Sequence, residues 1–227
     1  MENASKALLI AGSVLVSVLI IGLLVFGYRG LSDWQQTKSN AEDDVKLVEY
    51  IAQFESFNRT LYGSELLSLA NLQEDYNADD DIQDGYKEIK ITIKINKSIA
   101  ASSYFQAGTY SIEQIDKQKD ELESQMSTYE RTRSSYNNRS VKYYSQKTYR
   151  EIASDFGISV SSTELNYDIQ AKLEKNSKTK KLMQEIYEYQ NLSSIYKEFR
   201  EGKRFKCTNI EYDSSNGRVT EMNYEEI

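Results

Sequence analysis

Apolar positions in this chain follow three rhythms, and each predicts a different kind of element. The first is continuous: residues 7 to 28 read ALLIAGSVLVSVLIIGLLVFGY without a single charge. As a helix this run spans roughly 33 Å, enough for a hydrocarbon core of about 30 Å. Lys6 and Arg29 bound it, and Tyr28 and Trp34 stand where interfacial aromatics are expected. The run is longer than a signal-peptide core and ends without a small-x-small cleavage site. The expectation is an uncleaved, single-pass anchor over residues 1 to 30, with a soluble domain over 31 to 227.

The second rhythm repeats every three to four residues. Val45, Val48 and Ala52 form one row, and Leu47, Tyr50, Ile51, Phe54, Phe57 and Leu61 form a second beside it. Together they predict an amphipathic spine helix over about 31 to 61, with Gly63 as its C-terminal cap and Ser64 opening the next helix. The same spacing recurs at Leu66, Leu69, Ala70 and Leu72, and again at Ile112, Ile115, Leu122, Met126 and Tyr129. Ser161 and Glu164 have capping-box spacing ahead of Leu165, Ile169 and Leu173. A last helix carries Leu182, Ile186, Tyr189, Leu192, Ile195, Tyr196 and Phe199, with Gly202 as its stop.

The third rhythm is strict alternation. Ile89, Ile91, Ile93 and Ile95 alternate with Lys90, Thr92 and Lys94, as a strand with one buried face requires. Near the C-terminus Phe205 and Cys207 alternate, the phase slips at Thr208-Asn209, and Ile210 and Tyr212 resume it. That slip predicts a β-bulge. Asn216-Gly217 then supplies a hairpin turn, with Val219 to Tyr224 as the return strand. The class is α+β: a long spine packed on a small antiparallel sheet, with additional helices.

Composition narrows the chemistry. The chain has 227 residues, a net charge of -7, and neither His nor Pro; its mean hydropathy is -0.64. Without His, the usual zinc sites, Ser-His-Asp triads and Cys-His dyads are excluded. A single thiol, Cys207, cannot form an intrachain disulfide, and its strand phase marks it as a small core residue. An acidic stretch, Glu74, Asp75, Asp79, Asp80, Asp81 and Asp84, fails the calcium-loop register and reads as a solvated loop. No catalytic residue, metal site, cofactor or small-molecule substrate follows from the sequence. The expectation is a non-enzymatic protein.

One segment stands out. Residues 111 to 150 read as a helical excursion from the core. At its end Arg131, Arg133, Arg139, Lys142, Lys147 and Arg150 occur with no acidic residue between them. Tyr136, Tyr143, Tyr144 and Tyr149 are interleaved. Arg131, Arg133, Tyr136, Arg139, Lys142, Tyr143, Tyr144 and Lys147 are therefore the candidate site for an anionic polymer, by charge and by stacking. The competing reading is a positive face that is merely solvated.

An N-terminal apolar helix, an amphipathic spine and a C-terminal antiparallel sheet resemble the layout of type IV pilins and pseudopilins. The processing signal of those families is not matched: the apolar run holds no Glu, and Met1 to Lys6 supplies no Gly. MENASKALLIAG at 1 to 12 and FKCTNIEYDSSNGRV at 205 to 219 resemble uncharacterised single-pass membrane proteins of Gram-positive bacteria. The resemblance implies a bacterial cell envelope setting, a signal-anchor with its domain extracytoplasmic, and self-association or envelope proteins as partners beside the lipid bilayer. The Lys/Arg balance around the run does not by itself favour export of the C-terminus.

Overall fold

A computed structural model describes residues 48–78, 87–99 and 102–227. The uncharged run 7–28, most of the expected spine and Asp79 to Asp84 lie outside the described residues. Among the described residues, no helix is long and apolar enough to cross a membrane. The chain divides into two units at Gln53/Phe54. Of the first, residues 48–53 are helical.

The second unit is α+β. A helix over 48–55 (α1) ends there, and β1 (Thr60–Tyr62) follows. The expected spine therefore ends before residue 61. Phe57 and Asn58 donate to the carbonyls of Phe54 and Glu55, tightening the last turn. Leu61 is fully buried, but as the cross-strand partner of Phe205, not as a helix position. Gly63 caps nothing; it opens α2 (Gly63–Asn77). A Cβ at Gly63 would lie 2.1 Å from the Phe199 carbonyl oxygen, so this position needs glycine for close approach.

The alternating isoleucines form β2 (Lys90–Ile95), with Ile91, Ile93 and Ile95 buried. β3 (Gly108–Ser111) pairs with it antiparallel and leads directly into α3 (Ile112–Glu130), where Ser111 and Gln114 form a reciprocal capping box. The terminal strands are β4 (Arg204–Tyr212) and β5 (Val219–Glu226). Their register shifts between Cys207 and Asn209, at the place where the sequence phase slips. A second shift follows at Glu211/Tyr212. Six residues, not two, connect the strands, with Gly217 at a φ of 74°.

The sheet order is β1-β4-β5-β2-β3. It is mixed rather than antiparallel, because β2 and β5 run parallel, from Lys90↔Glu221 to Lys94↔Glu225. A parallel neighbour needs a crossover, and the whole helical stretch between β3 and β4 intervenes. Beneath the sheet Phe105 stacks on Phe199 at 3.9 Å between ring centroids, and Phe199 meets Phe205 at 6.0 Å.

Between β3 and β4, α3 is followed by α4 (Val141–Ser145), α5 (Tyr149–Asp155), α6 (Asn166–Lys175) and α7 (Lys180–Lys197), which ends in a π-turn over Glu198–Gly202. These helices close on a second apolar cluster containing Tyr136, Val141, Tyr144, Ile152, Ile169, Leu173, Leu182, Met183 and Ile186. The stretch 131–150 is thus part of a core, not an excursion from one. Ser161 does not cap α6: its hydroxyl meets Thr163, Glu164 pairs with Lys172, and the helix begins only after Leu165.

Candidate functional site

The basic segment is built around a tight turn. Arg133 and Arg139 form an isolated bridge, with the Arg133 amide donating to the Arg139 carbonyl at 3.1 Å. Asn137 and Asn138, at φ of 51° and 56°, supply the left-handed positions, which Asn adopts more readily than most residues. This turn aims the Arg133 side chain at Glu185 of α7, where both carboxylate oxygens accept, at 2.7 and 2.9 Å. The Tyr136 hydroxyl donates to the same carboxylate at 2.9 Å. Burial, and then that bond, push the Tyr136 phenol up to about 12.

Most other cations of the segment are also engaged. Lys142 meets Glu130 at 2.8 Å and Lys147 meets Glu151 at 3.1 Å. Glu151 is held down to about 2, first by the Thr148 amide and then by Lys147. Arg150 donates to the carbonyls of Ser161 and Glu164, tying the loop before α6 to α5. The Arg139 guanidinium lies 4.9 Å from the centroid of the Tyr143 ring, and the Lys147 ammonium lies 5.3 Å from the same ring.

The eight candidate residues therefore separate. Arg139, Tyr143 and Lys147 are brought together. Arg133 and Tyr136 are joined to Glu185 instead, and Lys142 turns to Glu130. Tyr136 and Tyr144 are buried, 3 % and 1 % exposed, so neither presents a ring face to solvent. Arg131 is exposed and without a charge partner among the described residues.

A second basic group emerges at the α6–α7 junction. Lys172, Lys175, Lys178, Lys180 and Lys181 fall within ten residues that hold one acidic residue, Glu174. Lys175, Lys178 and Lys180 are exposed and have no ion pair among the described residues. Lys181 reaches Glu185 at 3.9 Å, on the carboxylate that Arg133 also holds. The lysine density was visible in the sequence; its proximity to Arg133 was not, because 48 residues of chain separate Arg133 from Lys181.

Elsewhere the polar groups do structural work. Lys203 donates to Glu226 and to the Lys97 carbonyl, and Glu226 accepts from the amides of Asn96 and Lys97 at 2.8 and 3.0 Å. This clamp ties β5 and the residue before β4 to the end of β2. Cys207 is half-buried, and burial pushes its thiol up, away from nucleophilic use at neutral pH. Among the described residues, no group of three or more Asp, Glu or Cys is placed to hold a metal ion. No family model, no curated protein and no solved structure matches this chain.

Proposed function

We propose that this chain is a single-pass, membrane-anchored envelope protein, and that its α+β unit acts as a non-enzymatic structural or interaction module. The observation that carries this reading is the uncharged run of residues 7 to 28 in a chain whose mean hydropathy is -0.64. So apolar a stretch costs little only in lipid or a deep core. The non-enzymatic part is supported by the absence of His from the sequence and by the raised thiol of Cys207. It is supported also by the way Arg133, Lys142, Lys203 and their carboxylates are spent on one another.

The test is fractionation of cells making the full chain. It remains in the membrane pellet through high-salt and alkaline washes and is released only by detergent. Recovery of the intact, untrimmed chain in the supernatant without detergent overturns the reading. Crosslinking in the same membranes separates the two forms of the module: a ladder of multimers supports a pilin-like subunit, and a single heterologous adduct supports an adaptor.

A further inference from the structure

Charge is segregated in this molecule. Residues 131 to 181 hold eleven Lys or Arg and five Asp or Glu, a surplus of six. The whole chain carries -7, so the remaining residues carry -13. The surplus is not spread evenly over the helices. Glu174 is occupied by the Tyr187 hydroxyl at 2.6 Å and by Gln170 at 2.9 Å. Glu185 is occupied by Arg133, Tyr136 and Lys181. Arg131, Arg139, Lys175, Lys178 and Lys180 remain exposed without an ion pair among the described residues, with Asp155 exposed and Asp168 beside Lys172 and Lys175.

The start of α7 strengthens the case. Lys180 and Lys181 occupy its first turn, no acidic residue accompanies them, and the Thr179 hydroxyl is turned inward to the Leu173 carbonyl. Cations at a helix N-terminus oppose the macrodipole, so this arrangement costs the fold stability. An external anion would relieve both the lysines and the helix end.

We infer that Arg131, Arg139, Lys175, Lys178, Lys180 and Lys181, gathered about the Glu185 carboxylate that Arg133 and Lys181 share, act together to dock the domain onto the anionic headgroups of the bilayer that anchors the chain. The inference rests on the anchored reading above. Tethering selects lipid as the partner. Residues 29 to 53 reach at most roughly 90 Å in any conformation, so the unit beginning at Phe54 is held within that distance of the surface. At that effective concentration a few lysines suffice, whereas a soluble polymer would have to be captured by the same charges from solution. The -13 of the remaining chain is repelled by the same surface, which leaves one orientation favoured.

The experiment uses the full chain reconstituted into vesicles, with amine-reactive labelling read lysine by lysine by mass spectrometry. On vesicles with about 30 mol % anionic lipid, Lys175, Lys178, Lys180 and Lys181 label about tenfold more slowly than on zwitterionic vesicles. Lys90 and Lys206, exposed on the sheet strands, label equally on both. The protection disappears at about 0.5 M NaCl. In the triple variant Lys178→Gln, Lys180→Gln, Lys181→Gln, the protection of Lys175 is lost while flotation with the vesicles is unchanged. Equal labelling on the two vesicle types overturns the inference. So does a soluble polyphosphate or oligonucleotide that protects these lysines on zwitterionic vesicles more fully than the anionic bilayer does. A chain that floats with neither vesicle overturns the anchored reading itself, a separable outcome.

Discussion

The sheet half and the helical half of this unit solve the same problem, how to hold charged residues near a core, in opposite ways. In the sheet half the decisive charges are buried and distant in sequence. Lys203 and Glu226 are 7 % and 10 % exposed at the side chain, and their bonds reach Asn96 and Lys97 more than a hundred residues away. In the helical half the central carboxylate, Glu185, is buried, but its cations come from the surface, and several neighbours are left unpaired. The first arrangement spends its buried pair within the fold. The second keeps a surplus.

The largest expected effect comes from opening the sheet clamp. Glu226→Ala leaves Lys203 buried without its carboxylate and costs about 3 kcal/mol of stability, read by chemical denaturation. The pH dependence follows from the same group. Burial works to raise the Glu226 carboxyl, but Lys203 and the Lys97 and Asn96 amides outweigh it and hold the carboxyl below its ordinary value. A depressed folded pKa contributes stability that is complete above the unfolded value near 4.5 and is lost as pH falls through the folded one. Glu226→Gln therefore flattens the stability profile below about pH 4.5. A variant as acid-labile as the original chain would remove the clamp from the account.

Next in size is Leu182→Ala, inside the helical cluster, which costs about 3 kcal/mol through lost burial and a cavity. Its value lies in where the loss is felt. Hydrogen exchange should accelerate across α4 to α7 while β2 and β5 keep their protection, because the side chains clustered with Leu182 come from the helical stretch and not from the sheet. Simultaneous loss of protection in the sheet would erase the distinction between the halves.

The distinction was only partly legible in the sequence, for reasons that can be traced to particular residues. Ile89 to Ile95 and the phase slip at Thr208-Asn209 were readable because period and its interruption are local properties. Leu61 was not, since a single apolar position satisfies a helix row and a strand partner equally well; only Phe205 opposite it decides. The parallel pairing of β2 with β5 depends on a crossover of more than a hundred residues, and local pattern carries no trace of it. In the basic segment, the alternation of Arg and Tyr suggested a stacking platform. Yet Tyr136 and Tyr144 turn inward, into the apolar cluster that also holds Leu182 and Ile186, and no charge count reveals that direction.

A smaller change tests whether Glu185 organises the helical half. Arg133→Gln removes two charge-assisted bonds and costs about 2 kcal/mol. The Tyr136 hydroxyl then remains on Glu185, with Lys181 the cation still paired to it among the described residues. A double-mutant cycle of Arg133→Gln with Lys181→Gln should be non-additive, since both act through one carboxylate. Additive losses would place the two cations on separate surfaces.

The smallest effect has the opposite sign and separates the fold from its use. Lys180→Glu places an acid in the first turn of α7, where none now stands, and gains about 0.5 kcal/mol from the macrodipole. If the lysines at this junction served the fold, the substitution would weaken it. If they serve an external anion, thermal stability rises while residence at an anionic surface falls. A chain made more stable and less adherent by one change would show that stability has been given up here for contact.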